Sequence, residues 1–261
     1  MINLSLDGAV QTLILTLRAR ADEQAHESPL FEDKWSTEWY KFMPDVPLLD
    51  AWYNRNFQLA TAIRTRLIDD AVTEFLESHK DALVVELGAG FSTRYFRIGK
   101  GKSTWIELDF DEAIIARRKV DMAIDEHWFI GSDMTELEWI NLLPDVKAKD
   151  ILFIAEGTLM FIEPEGIEKL MSALAENFKG ATFIFDVVNP DYIERASDEF
   201  MTINAPMQWG VTEKDLKKYA LKVKDTSYLL LEYPERWEEI GVEESNLTKE
   251  NSGYVVTAKL G

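Results

Sequence analysis

Apolar residues follow two different rhythms along this chain, and the change comes near residue 80. Before it, Leu4, Leu6, Val10, Leu13, Ile14 and Leu17 recur at helical spacing, with Asp7 placed to cap the first turn. Ser28-Pro29 and the prolines at 44 and 47 mark turns. Trp35, Trp39, Tyr40 and Phe42 lie between them, an aromatic group whose plainest role is packing, with a wall over a ligand as the alternative. A longer helix is expected from about residue 50 to 78, with room for one break, carrying Arg64 and Arg66.

After residue 80 the apolar positions gather into short runs separated by amphipathic stretches. Strands are predicted near 82–87, 103–108, 127–130, 150–156, 181–187, 224–231 and 253–259. The clearest helices fall at 111–122 and 163–178, the second with Pro164 in its first turn and Gly180 just past its end. Strand–helix alternation of this kind predicts an α/β fold, a mostly parallel seven-strand sheet with helices on both faces. The glutamate-rich stretch 234–252 shows no helical pattern, so the last strand is expected to run antiparallel to its neighbour. Residues 188–212 interrupt the alternation after the fifth strand, where an insertion lies on the ligand side of an open sheet. The chain therefore reads as a helical extension, 1–80, on a core, 81–261, with an insertion at about 188–212 that can cover a site.

Charge and composition narrow the functional classes. The 261 residues are 46% hydrophobic, enough for a sizeable core, and carry a formal net charge of −19. Such an acidic surface disfavours nucleic acid and anionic membranes but leaves a small-molecule substrate open. No apolar run approaches the roughly 18 residues of a membrane span. The first twenty residues place acid before the apolar part and base after it, the wrong order for a secretory signal. Cysteine is absent, which removes disulfides and thiolate sites and makes a cytoplasmic protein the default.

The densest chemistry lies in 82–109. An apolar run meets a turn with Gly88 and Gly90, and a second run ends in Glu107 and Asp109. This outlines a β-α-β unit with backbone N–H groups for a ligand and a carboxylate for ribose hydroxyls, at close to the expected spacing of about 20 residues. Thr93 stands where GxGxxG requires glycine, which argues against a dinucleotide pyrophosphate and for the amino-acid end of S-adenosylmethionine (AdoMet). Asp133 and Met134 follow the third strand at the same sheet edge, placed for an adenine, although Glu136 three residues on also suggests a helix cap at Asp133. Glu156 ends the fourth strand, a carboxylate that needs a partner or solvent. Of the histidines, His79 and His127 fall at the amino ends of strands, and only His26 could reach the ligand edge. No cluster has metal-ligand spacing.

The segments VVELGAGFSTRYFR, WIELDFDEAIIARR and IAEGTLMFIEPEGIEKLM resemble the leucine carboxyl methyltransferase family, in particular its bacterial, tetracenomycin-type branch of polyketide O-methyltransferases. LILTLRARADEQAHESPLFED, RTRLIDDAVTEFL and MQWGVTEKDL are similar to further parts of that branch. The resemblance implies a class I AdoMet-dependent methyltransferase fold. It puts the amino-acid end of AdoMet near Gly88 and Gly90, with Arg64 on the carboxylate and Arg20, or by a shifted alignment Arg18, as the N-terminal basic contact. Asp109 falls on the ribose acid, Asp133 and Met134 on the adenine contacts, and Glu156 on the glutamate after the fourth strand. Ser92 departs from the aspartate that many members carry.

The expected reaction is in-line transfer of the AdoMet methyl to an oxygen of a small molecule. A carboxylate acceptor arrives ionised and needs no base, whereas a phenol would be helped by one. Arg94, Arg66 and Arg195 are candidates to face an acceptor carboxylate. The rivals are methylation of a protein C-terminal carboxylate, an NAD-dependent oxidoreductase on a similar fold, and a binding protein without turnover.

Overall fold

The structure, a computed structural model, describes residues 12–44, 46–50, 53–193 and 206–261. Leu4, Leu6, Asp7, Val10 and Arg195 lie outside the described residues. Seven strands form one sheet: β1 (Ala82–Leu87), β2 (Ser103–Asp109), β3 (His127–Gly131), β4 (Ile151–Ala155), β5 (Thr182–Val187), β6 (Leu221–Tyr228) and β7 (Tyr254–Leu260). Their order is β3-β2-β1-β4-β5-β7-β6. The first five in that order pair in parallel, and β7 runs antiparallel between β5 and β6. The chain leaves β1 towards β2 on one side and later returns to β4 on the other. The reversal opens a crevice at the carboxyl ends of β1 and β4.

Burial on both faces explains why the central strands read as continuous apolar runs. Leu83, Val85 and Leu87 face one core with Phe153, Leu170 and Leu174, while Ala82 and Val84 face another with Ile68, Val72 and Phe75. The second core is closed by α4 (Arg55–Ser78), in which Ile68, Val72, Phe75 and Leu76 form one buried stripe. Each such side chain contributes about 1.5–3 kcal/mol. Asn54 caps this helix by accepting from the Phe57 N–H at 2.9 Å. Before it come α1 (Thr12–Glu23), α2 (Lys34–Tyr40) and α3 (Pro47–Asp50). Of the aromatic group, Trp35, Trp39 and Tyr40 pack with Phe91 and Ile14, while Phe42 is exposed.

The remaining helices are α5 (Asp111–Arg117), α6 (Pro164–Asn177) and α7 (Pro234–Glu239). Three boundaries differ from expectation. α5 ends five residues early. The sixth strand runs from Leu221 to Tyr228, three residues earlier at both ends, because as an edge strand it is mostly exposed and carries polar positions that an apolar pattern misses, while the apolar run 229–231 is a turn. α7 occupies part of 234–252, nucleated by Pro234 at its first position and anchored by buried Trp237. No helix among the described residues is long and apolar enough to cross a membrane.

Candidate functional site

A cavity of about 400 Å³ opens in the crevice at the strand ends. Arg20, Arg64, Gly88, Gly90, Asp109, Asp133, Met134 and Glu156 all line it. Six different elements or their following turns supply them, and the sheet topology brings them together.

The turn after β1 is shaped by its contacts. The Gly88 N–H donates to the Leu108 carbonyl at 2.7 Å, which ties the turn to β2. Both glycines have left-handed backbone, φ +64° at Gly88 and +49° at Gly90. A Cβ at Gly88 would lie 2.4 Å from Thr158 Oγ1, and one at Gly90 would lie 2.6 Å from Leu13 Cδ2. Thr93, at the third glycine's place, is buried and donates its hydroxyl to Asp33. Ser92 donates to Glu86 at 2.9 Å.

Asp109 ends β2 and is 7% exposed. Its Oδ2 accepts from the Gly90 N–H at 2.7 Å and its Oδ1 from the Phe110 N–H at 2.8 Å. Burial pushes its carboxyl up to about 6 against those two hydrogen bonds. Glu156, at the end of β4, sits in the opposite environment. Its Oε2 accepts from Arg94, and its Oε1 from Arg64 Nε at 3.2 Å and Thr65 at 3.0 Å. Burial pushes Glu156 up as well, but Arg94, Arg64 and Arg20 together outweigh it and hold the carboxyl far below the usual range.

These contacts belong to a buried ionic network under the cavity. Arg94 is fully buried and reaches Glu86, Glu156 and Asp69, the last at 2.7 Å. Arg97 joins Asp69 to Asp33, and Arg64 joins Glu156 to Asp186 at 3.2 Å on each side. Asp186 also accepts from the Gly157 N–H at 2.6 Å.

Arg20 and Arg18 share α1 but not a destination. Arg20 is buried at the cavity, where Nη2 donates to the Phe91 carbonyl at 2.7 Å and Nε forms an ion pair with Asp33 at 3.7 Å, beyond hydrogen-bond distance. Burial lowers its pKa to about 10, with Asp33 and Glu156 opposing the shift. Arg18 instead pairs with Asp50 at 2.7 Å, away from the cavity. Asp133 Oδ1 accepts from the Thr135 N–H and hydroxyl at 2.8 Å each, so the local turn, not a capping box with Glu136, takes that carboxylate. Met134 is buried beside it.

Several candidates go elsewhere. Arg94 lies beneath the cavity, and Arg66 pairs with Asp70 at 2.8 Å on the outside of α4, so neither faces an acceptor. His26 contacts Glu239 at 3.2 Å, His127 contacts Glu107 at 3.0 Å, and neither lines the cavity. No group of acids and histidines among the described residues could hold a metal ion. Phe91, Phe110, Thr158, Phe161 and Gln208 line the cavity without having been singled out from the sequence. Only Phe110 carried a positional signal, as the residue after the ribose acid. Gln208 comes from the insertion after β5. Its backbone N–H donates to the Met160 carbonyl at 2.7 Å and its side chain to the Phe161 carbonyl at 2.8 Å.

Comparison with known proteins adds an independent line. The family model described as leucine carboxyl methyltransferase matches residues 13–175, more than half of the chain. The tetracenomycin polyketide synthesis O-methyltransferase TcmP of Streptomyces glaucescens is 25% identical over 209 residues, covering 79% of this chain and 76% of that protein. The S-adenosyl-L-methionine-dependent methyltransferase dpfgK of Gibberella zeae is 24% identical over 67% of this chain and 63% of its own. Among solved structures, the magnesium protoporphyrin IX methyltransferase ChlM of Synechocystis PCC 6803 with bound SAM superposes with a TM-score of 0.50 at 12% identity, over 100% of both chains, a likeness of fold.

Proposed function

Because this chain belongs to the leucine carboxyl methyltransferase family, we propose that its cavity carries out O-methylation of a small molecule with AdoMet. The AdoMet-dependent methyltransferase class comes with the family; the roles of individual residues and the acceptor are our reading. Its main support is one observation: the turn glycines, a desolvated guanidinium and a carboxylate with no ion-pair partner among the described residues all line a single cavity.

The residues fit AdoMet on chemical grounds. Gly88 and Gly90 leave bare backbone where a Cβ would collide with Thr158 or Leu13. Arg20 would bring a guanidinium to the amino-acid carboxylate, with Arg64 as the second positive charge at that end. Asp109 would take the ribose hydroxyls, and Asp133, Met134 and the ring of Phe110 would bracket the adenine. Glu156, kept ionised by its arginines, suits the ammonium of the amino-acid end.

When bound, AdoMet supplies an electrophilic methyl on a sulfonium. The chain's own task is then to align an oxygen with that methyl and to exclude water. α1 lies over the turn through Leu13, and Gln208 and Phe161 close another side, so helical extension and insertion both serve as cover. No lysine, histidine or tyrosine lines the cavity among the described residues. An oxygen that arrives ionised, as in a carboxylate, is therefore the better acceptor for this chain. TcmP acts in polyketide synthesis by its name, and a polyketide-like aromatic acid or phenol is the acceptor class we favour over a protein C-terminus. With no cysteine and no spanning helix among the described residues, we assign the activity to the cytoplasm.

Calorimetry should give micromolar or tighter binding of AdoMet and S-adenosylhomocysteine and none of NADH; the reverse sinks the cofactor assignment. Turnover is tested with methyl-labelled AdoMet and a panel of aromatic carboxylic acids and phenols. Label released as methanol by mild alkali marks an ester, and retained label an ether. Ether products alone would overturn the carboxylate preference.

A further inference from the structure

We propose that Arg117 is a positioning residue of the cofactor site, acting through the carbonyl of Gly90; the inference rests on the AdoMet reading above. Arg117 is the last residue of α5, is fully buried and does not line the cavity. Its guanidinium nevertheless reaches the turn, where Nη1 donates to the Gly90 carbonyl at 2.8 Å. Nη2 donates to Glu107 at 2.9 Å and Nε to Asp121 at 3.1 Å. The group lies 4.6 Å over the Trp39 ring, and Glu107 is itself held by His127 Nε2 at 3.0 Å. Two acids, a ring and the Gly90 carbonyl thus fix one planar fork from separate directions.

At Gly90 this produces restraint on both sides of the residue. Its N–H is bound by Asp109 and its carbonyl by Arg117, while Arg20 takes the next carbonyl, that of Phe91. The turn has little freedom to drift, because Leu13 fills the space where a Cβ at Gly90 would be. A backbone that approaches a ligand this closely needs fixing to within a fraction of an ångström. Lysine could neutralise Glu107 and Asp121 but could not bridge both and also donate to Gly90, since it lacks the fork. Glu107 and His127 thereby gain a role at a distance from the ligand: they hold the residue that holds the turn.

The test is titration of S-adenosylhomocysteine into the full-length protein, well below the melting transition, with R117K and with the double variant E107Q/R117M. The double variant removes the more deeply buried acid together with its partner and leaves Asp121 as the single uncompensated carboxylate, so it keeps the test available if R117K does not fold. Losing a charge-assisted hydrogen bond at the turn should weaken Kd about tenfold in the double variant, and less in R117K. Both folded variants should show a raised KM for AdoMet with kcat nearly unchanged. A purely structural Arg117 would lower Tm and leave Kd within about twofold of wild type, which overturns the inference. If wild type itself fails to bind S-adenosylhomocysteine, the cofactor assignment falls and this inference with it.

Discussion

Asp109 and Glu156 lie at the ends of two strands that flank β1 and line the same cavity, one buried and one largely so, yet they occupy opposite electrostatic worlds. Desolvation pushes both carboxyls up. Asp109 accepts from two backbone N–H groups, has no ion-pair partner among the described residues, and rises to about 6. Glu156 meets three guanidiniums and is held far below the usual range. The difference is made by α4 and the turn after β1, which deliver Arg64 and Arg94 to the β4 side. Arg117, the nearest guanidinium on the β2 side, is spent on Glu107, Asp121 and Gly90. One carboxylate is therefore part of the scaffold, and the other is left able to respond to ligand and pH.

The largest effect should come from breaking the β4 side. Arg94→Met removes the partner shared by Glu86, Glu156 and Asp69 and leaves three buried carboxylates underpaired. A loss on the order of 3–5 kcal/mol is expected from urea denaturation. A loss below about 1 kcal/mol would mean that the network is solvated in the free protein and that the contrast between the two sides is overstated.

That network is also where the sequence was least informative. The strands, the Gly turn and the acid ending β2 are local patterns, so periodicity and spacing reach them. Arg94 and Glu86 carry no such mark, because their partners are contributed by α4 at Asp69 and by β4 at Glu156, and only the folded sheet brings those elements together. Glu156 is legible as a carboxylate at a strand end, and the resemblance adds roles for Arg20 and Arg64, but neither gives their pairing. By sequence Arg94 is a candidate to face an acceptor, whereas burial commits it to three acids. Gln208 was hidden for a different reason: the insertion 188–212 has no periodic pattern, and its contacts to Met160 and Phe161 run through backbone carbonyls that any sequence possesses.

The β2 side should show itself in pH dependence. Asp109 has a folded-state value of about 6 against an ordinary 3.8. Its contribution to stability is thus whole below the ordinary value and is lost as pH rises through about 6, because the unfolded chain gives up the proton first. The loss is on the order of 2–3 kcal/mol, and D109N should lack it when the two stability–pH curves are subtracted. Ligand affinity should move the other way. In the proposed ribose role the hydroxyls would donate to the ionised carboxylate, so wild-type affinity for S-adenosylhomocysteine should fall as pH drops below about 6, approaching tenfold per pH unit. D109N should bind about tenfold more weakly at neutral pH and show no such slope. A variant that keeps the wild-type slope would move the titrating group elsewhere.

The smallest expected effect sharpens the choice between the two arginines of α1. Arg18 is about a third exposed and pairs with Asp50 and Asp22 at the surface. Arg20 is buried at the cavity wall, with Nε 3.7 Å from Asp33 and Nη2 on the Phe91 carbonyl. Arg18→Ala should cost no more than about 1 kcal/mol, as exposed ion pairs do, and should leave the Kd for S-adenosylhomocysteine unchanged. Arg20→Ala, in contrast, removes a buried guanidinium that lines the cavity and should weaken that Kd about tenfold. If R18A weakened binding as much as R20A, the N-terminal basic contact would belong to the shifted alignment, and the asymmetry between the cavity's two ends would need a different third guanidinium.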